Sequence, residues 1–337
     1  MKTALKILGW GIGLVVLLAI ALAIYIYATA IRPANPVGYQ SVMANDPGHP
    51  PIPVSIWYPT NAKPGFILLG SVGERDASDG PVAGNRLSLI VISHGTGGGA
   101  MSHADTAIAL AEKGFVVAAP THPGDNYRES QDVGKPEWLL NRSRHLRRVV
   151  DTILGSWKDR SQLDPLRIGV FGFSAGATTA LISIGGTPDL RRIASHCADH
   201  PEFVCQLTSP NLYRNLKPMP WQGDSRITAA VIAAPGLGFT FEPDGLSKIR
   251  VPVQLWAGSA DQTVPFATNA GAIERGLPAK PEVHVVRGAT HYSFLTPCGL
   301  LSPPPLCRDS DGFDRKAFHE TFNRSIVAYF QSHLEAR

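Results

Sequence analysis

Gly172-Phe173-Ser174-Ala175-Gly176 follows the apolar run Arg167-Ile168-Gly169-Val170-Phe171 and leads into the small-residue stretch Ala177-Thr178-Thr179-Ala180-Leu181. The order reads as strand, sharp turn, helix. A serine on such a turn presents its hydroxyl at the C-terminal end of a sheet, and the flanking glycines permit the tight backbone and the close strand-helix approach. The stretch therefore predicts a nucleophile elbow with Ser174 at its apex. An inert serine in a glycine-rich turn is the plain alternative, so the rest of the chain must supply the partners.

A serine nucleophile needs an acid and then a histidine, each at a strand end. The strand-like Val251-Pro252-Val253-Gln254-Leu255-Trp256-Ala257-Gly258 runs into Ser259-Ala260-Asp261, and Glu282-Val283-His284-Val285-Val286 runs into Arg287-Gly288-Ala289-Thr290-His291. Asp261 and His291 are the expected partners. Asp224, which precedes a strand, Asp244, in an irregular loop, and His284, inside a strand, lack the strand-end position. Leu87-Ser88-Leu89-Ile90-Val91-Ile92 reads as a buried strand ending in Ser93-His94-Gly95-Thr96-Gly97-Gly98-Gly99. That loop can turn the Thr96 amide toward a developing oxyanion, with the Ala175 amide as second donor. It lacks the Lys-Ser/Thr ending of a phosphate loop and the spacing of a dinucleotide fingerprint.

With these residues in view, the chain resembles the serine α/β-hydrolases. Val54-Ser55-Ile56-Trp57-Tyr58-Pro59, Ser93-His94-Gly95-Thr96-Gly97-Gly98, Thr121-His122-Pro123-Gly124-Asp125-Asn126 and the elbow together resemble the predicted dienelactone hydrolases and the platelet-activating-factor acetylhydrolases. The resemblance covers roughly residues 50–335. It implies Ser174, Asp261 and His291 as triad, Thr96 and Ala175 as oxyanion donors, and no cofactor. Dienelactone hydrolases proper use a cysteine nucleophile, so the serine here argues for a carboxylic ester hydrolase rather than for lactone chemistry. An amidase or peptidase on the same fold, and a catalytically silent hydrolase-like binding protein, are the alternatives.

The remaining pattern fits an α/β fold with a mostly parallel sheet covered by helices on both faces. Early strands are expected over residues 52–58 and 66–69, a helix over 102–113, a strand over 115–119, an amphipathic helix over 138–157 and a final one over 313–334. The basic run from Arg142 to Arg148 is read as the solvated face of its helix, with contact to acidic headgroups as the alternative. Residues 187–226 are longer than an ordinary connection and are expected as a cap-like insertion or a surface excursion. The organisation expected is an N-terminal membrane segment (1–31), a Pro-rich tether (32–50) and a hydrolase domain (51–337).

Lys2 and Lys6 precede 25 uncharged residues, 7–31. The most apolar part, 7–27, is about 31 Å long as a helix, close to the hydrocarbon thickness. An uncleaved anchor is expected, with the lysines inside and the domain outside, periplasmic if the host is bacterial. Ala28-Thr29-Ala30 resembles a signal-peptidase site, so export after cleavage is the alternative. Residues 32–53 contain six prolines. Four cysteines fall in two close pairs, Cys197 with Cys205 and Cys298 with Cys307; three connectivities are possible, and local pairing is the simplest. Disulfides suit an oxidising compartment.

Several other features carry less. His94, His103 and His122 with Asp105 and Asp125 lack compact metal-ligand spacing, and no metal is expected. The sequons at Asn141 and Asn323 fall on expected helices and matter only in a eukaryotic host. A formal net charge of +4 over 337 residues is too small and dispersed for a nucleic-acid partner. The expected partners are a small ester substrate and the membrane.

Overall fold

The structure is a computed structural model that describes residues 2–335. Helix α1 (Lys2–Thr29) comes first. It is followed by β1 (Val37–Ala44), β2 (Ile52–Pro59), the hairpin β3 (Gly65–Leu69) and β4 (Val72–Ser78), and β5 (Leu87–Ser93). Then come α2 (Ala104–Ala111), β6 (Val116–Pro120), α3 (Trp138–Gly155), β7 (Leu163–Phe173) and α4 (Ala175–Ser183). Three short helices, α5 (Arg192–Asp199), α6 (Phe203–Leu207) and α7 (Pro210–Arg214), occupy the insertion. The chain closes with β8 (Ile227–Ala233), β9 (Val253–Gly258), α8 (Ala270–Gly276), β10 (Glu282–Val286) and α9 (Arg315–Phe330).

Among the described residues the strands form one sheet in the order β10-β9-β8-β7-β5-β6-β2-β1-β4-β3. From β10 to β6 all pairings are parallel, which matches the near-continuous apolar composition of β5, β6, β7 and β8. Helices α3 and α4 pack on one face, where Leu146, Val149, Val150 and Ile153 meet Val91, Ile168 and Val170. Helices α2 and α9 cover the other face, where Ala104, Ala107, Ile108, Phe322, Ile326 and Phe330 meet Ile90, Phe171 and Val231.

Two expectations need correction. The segment expected as a tether contains β1, which pairs with β2 along its whole length from Val37–Pro59 to Ala44–Ile52. The domain therefore begins well before residue 51. The basic run on α3 is not a solvated face: Arg142 is 1% exposed, and Arg144 and Arg148 reach back to the buried Asp46 at 3.1 and 3.6 Å. Arg142 lies on the helix's apolar stripe, three residues after Leu139 and four before Leu146, and both neighbours are buried.

Within α1, residues Trp10–Thr29 have a mean hydropathy of 2.5 and none of this span is buried against the domain. By length and composition it is apolar enough to cross a membrane. Disulfides join Cys197 to Cys205 and Cys298 to Cys307.

Candidate active site

Ser174 stands between the end of β7 and the start of α4 with φ +56° and ψ −121°, a conformation L residues rarely adopt. Its neighbours explain how the turn is tolerated. A Cβ at Gly172 would strike the carbonyl of Gly176, and one at Gly176 would strike the backbone of Ser93 at the end of β5. Glycine at both places lets α4 leave the sheet at once and hold the serine hydroxyl above its edge.

The loops after β9 and β10 meet that hydroxyl. Ser174 Oγ lies 3.0 Å from His291 Nε2, and His291 Nδ1 lies 2.8 Å from Asp261 Oδ2. Asp261 is fixed by its own loop, because Oδ1 accepts the amides of Thr263 and Val264 at 2.9 and 3.0 Å. With its second oxygen so engaged, the carboxylate is oriented to accept from Nδ1–H, which leaves Nε2 as the acceptor for the serine proton. His291 and Asp261 are 5% and 8% exposed, whereas Ser174 is partly open to solvent. Asp224 is instead taken up by Arg226 at 2.8 Å, and His284 stacks on Trp256 and bonds Glu282 at 2.7 Å.

The turn that carries His291 is held from below. Ser293 Oγ accepts the Thr290 amide at 2.9 Å and donates to Asp309 at 2.6 Å, and Arg315 forks onto the same Asp309. From α9, His319 Nε2 donates to the Ser293 carbonyl at 2.9 Å, while its Nδ1 bonds Asp105 at 2.6 Å. Asn323, Thr296 and the His319 ring converge on Asp105 and hold its carboxyl well below the usual range despite burial. The Cys298–Cys307 disulfide closes the loop between this turn and Asp309.

Among the described residues, the amides of Thr96 and Ala175 donate to no protein acceptor. That is expected for Ala175 at the start of a helix. Around Thr96 every neighbour is tied down. The Gly97 amide donates to Asp125 Oδ1 at 2.8 Å and the Gly98 amide to the Gly95 carbonyl at 3.1 Å. His94 Nδ1 donates to the Gly95 carbonyl at 2.7 Å, and its Nε2 accepts the His122 amide at 3.1 Å. These bonds define the neutral tautomer of His94, consistent with burial pushing its pKa down to about 4.

Beneath the loop lies an ion pair that sequence reasoning missed. Arg142 on α3 pairs with Asp125 in the loop after β6, and each is 1% exposed. The guanidinium also donates to the His94 carbonyl, to Ser93 Oγ at 3.3 Å and to Thr179 Oγ1 on α4 at 3.1 Å. Asp125 Oδ2 further accepts from Trp138 Nε1 at 2.7 Å. One buried pair thus ties the Thr96 loop, the helix after Ser174 and α3 together, and the arginine keeps the carboxyl below its ordinary pKa. The stripe position of Arg142 was the available signal. For Asp125 the signal was its place in the Thr121–Asn126 stretch, which did not point to Arg142 as its partner.

The residues weighed as metal ligands are engaged otherwise. His122 Nε2 bonds Ser93 Oγ at 2.9 Å and its Nδ1 meets His145 at 3.2 Å, while the His103 ring sits edge-on between Phe171 and Phe173. Among the described residues, no group of three or more His, Cys, Asp or Glu is disposed to hold a metal ion.

Residues 187–226 bridge two loops at the same edge of the sheet. Tyr213 donates to the Gly134 carbonyl after β6 at 2.6 Å, and Glu202 accepts from Asn269 after β9 at 2.9 Å. A cavity of about 370 Å³ lies between the two ends of this insertion and one of about 280 Å³ between α5 and the start of α8; neither includes Ser174.

Residues 78–209 match the dienelactone hydrolase family. A solved ferulic acid esterase from Streptomyces cinnamoneus is similar in fold, with a TM-score of 0.64 over 92% of this chain and 94% of that one at 18% identity. The chain has the α/β-hydrolase fold. No curated protein matches it in sequence. The family match spans β5 to α6 and so takes in the Thr96 loop, the Asp125 loop and the turn that carries Ser174, whereas Asp261 and His291 lie beyond it.

Proposed function

We propose that this hydrolase is a serine carboxylic ester hydrolase for small to medium acyl esters, held by α1 with its domain on the extracytoplasmic side of a membrane. The observation that carries the chemistry is the continuous hydrogen-bonded chain from Ser174 through His291 to Asp261. His291 Nε2 takes the Ser174 proton as Oγ attacks the ester carbonyl, and Asp261 stabilises the imidazolium that forms. The carbonyl oxygen, now anionic, accepts from the Thr96 and Ala175 amides. Collapse of the tetrahedral intermediate breaks the ester C–O bond, and His291 returns its proton to the departing alcohol. Water then attacks the acyl-serine with His291 again as base, releasing the acid and restoring Ser174.

Support for an ester substrate comes from the hydrolase family match and from the esterase of like fold. The membrane reading rests on the 20-residue apolar span and on two disulfides, which suit an oxidising compartment. Hydrolysis of p-nitrophenyl esters of increasing acyl length by the full-length protein, beside the matching anilides, tests the substrate class. Turnover of short and medium esters with little anilide cleavage is expected. Anilide cleavage at equal or greater kcat/KM would make the protein an amidase instead.

A further inference from the structure

The hairpin β3–β4, with its apolar outer strand, stands at one end of the sheet, beside the last turn of α1. Its outer strand reads Gly65-Phe66-Ile67-Leu68-Leu69, and Phe66 and Leu68 are 40% and 47% exposed. An exposed apolar edge strand is a liability unless something covers it. The contacts of α1 indicate what does.

After α1 the chain runs alongside β4: the Ile31 amide donates to the Gly73 carbonyl at 2.8 Å and the Ile31 carbonyl accepts the Arg75 amide at 3.0 Å. The Tyr27 ring lies 5.6 Å from the Phe66 ring, and its hydroxyl accepts from Arg75 Nη1 at 2.9 Å. The guanidiniums of Arg32 and Arg75 both lie over that ring, at 5.6 and 5.5 Å. Tyr27 is near the C-terminal end of the apolar span, where an aromatic residue marks the membrane interface. A side chain in contact with Tyr27 sits at the same depth.

Strand direction fixes which end of the domain this is. Ile31 pairs with Glu74 in parallel, so α1 arrives at the start of β4, and the β3–β4 turn lies at that same end. Because β1 is antiparallel to β2 and β2 antiparallel to β6, β1 and its parallel neighbour β4 run in the direction of β5 to β10. The start of β4 therefore belongs to the N-terminal edge of the parallel strands. Ser174, Asp261 and His291 follow the ends of β7, β9 and β10, on the opposite edge. Laterally, β7 and β4 are five steps apart (β7-β5-β6-β2-β1-β4). At roughly 4.8 Å per step that is about 24 Å.

We propose that the β3–β4 hairpin is a second membrane contact, with Phe66 and Leu68 resting in the headgroup and acyl boundary of the bilayer that α1 spans and Arg32 and Arg75 meeting lipid phosphates. The proposal rests on the reading of α1 as a membrane span. Two attachments at one edge restrain rotation of the domain about the helix axis, and they hold the Ser174 edge toward the aqueous phase. The esters that reach Ser174 are then dissolved ones, not acyl chains of the supporting leaflet.

The test uses the full-length protein in vesicles of phosphatidylcholine and phosphatidylglycerol in equal parts. Leu68→Cys, and Ser130→Cys in the exposed loop after β6, are each labelled with an NBD fluorophore; the native cysteines are all in disulfides. Retained ester hydrolysis certifies the fold of each labelled protein. The expected result is a blue-shifted Leu68 label quenched severalfold by lipids carrying a nitroxide near the headgroup, with the Ser130 label unquenched. A protein that floats with carbonate-washed vesicles but leaves the Leu68 label in water overturns the docking and spares the anchor. A Ser130 label quenched as strongly as that at Leu68 overturns the orientation. Failure to float removes the anchor, and the proposal with it.

Discussion

The Arg142–Asp125 pair makes a demanding prediction, because its effects on stability and on rate separate. In Asp125→Asn the side-chain oxygen still accepts the Gly97 amide, but the new NH₂ faces Trp138 Nε1 and Arg142 Nη1, both donors. Arg142, 1% exposed, becomes an uncompensated buried charge, at a cost of about 3–5 kcal/mol in unfolding free energy. The loop around Thr96 loosens with it. Outright loss of one oxyanion donor costs about 2.7–4 kcal/mol, and a displacement of about 1 Å costs roughly 10²-fold, so kcat should fall between about 10-fold and 10²-fold with KM little changed. The informative comparison is Arg142→Met with Asp125→Asn. Removing both charges restores most of the stability, since an apolar replacement of a buried pair is often neutral. It does not restore kcat, because the His94 carbonyl has lost its guanidinium donor. Urea denaturation and p-nitrophenyl ester kinetics on the same preparations read the two effects. Recovery of kcat in step with stability would refute the reasoning and leave the pair a scaffold element.

Three further outcomes are expected. Asp261→Asn should lower kcat by about 10⁴-fold through the wrong imidazole tautomer while leaving the urea midpoint near that of the wild type; a loss below about tenfold would remove Asp261 from the mechanism. Acid should destabilise the fold. His94 is lowered to about 4, His103 and His145 to about 3, and His122 well below its usual value, so below about pH 6.5 the unfolded chain binds protons that the folded chain refuses. Asp76, raised to about 6, and Glu74, raised well above its usual value, act in the opposite sense between about pH 4 and 6, but two carboxyls oppose four imidazoles. The urea midpoint should therefore be lower at about pH 5 than at about pH 7, and an equal or higher value there would contradict the burial account. Replacing Cys298 and Cys307 by serine opens a short loop between His291 and Asp309, with an expected loss of up to about 3 kcal/mol and faster thermal inactivation. An unchanged inactivation rate would show that Ser293, Asp309 and Arg315 hold the turn alone.

What could be read in advance was local. The elbow declares itself because strand, glycine-flanked serine and small-residue helix are adjacent in sequence, and Asp261 and His291 each close a short apolar strand. The features that escaped depend on partners far away in sequence. Strand β1 lies in a proline-rich stretch whose Gln40 and Ser41 dilute the strand signal; its reality comes from pairing with β2 and from Gln40, buried against Tyr58 and Trp157 at 2.9 Å each. Arg142 looked like part of a solvated run because charge outweighed position on the helix. It is buried because Asp125, 17 residues away, and the His94 carbonyl, 48 residues away, accept hydrogen bonds from its guanidinium. The hairpin beside α1 presented only as a short apolar run, and nothing local in it reported the contact with Tyr27.

The claim on which the rest depends is that Ser174 is the nucleophile, and the most direct measurement is covalent labelling by a fluorophosphonate with mapping of the modified peptide. The account predicts a single adduct on Ser174, inactivation in proportion to labelling, and loss of both labelling and ester hydrolysis in a folded Ser174→Ala protein. Hydrolysis that persists in Ser174→Ala, or an active wild type that leaves Ser174 unlabelled, would contradict it.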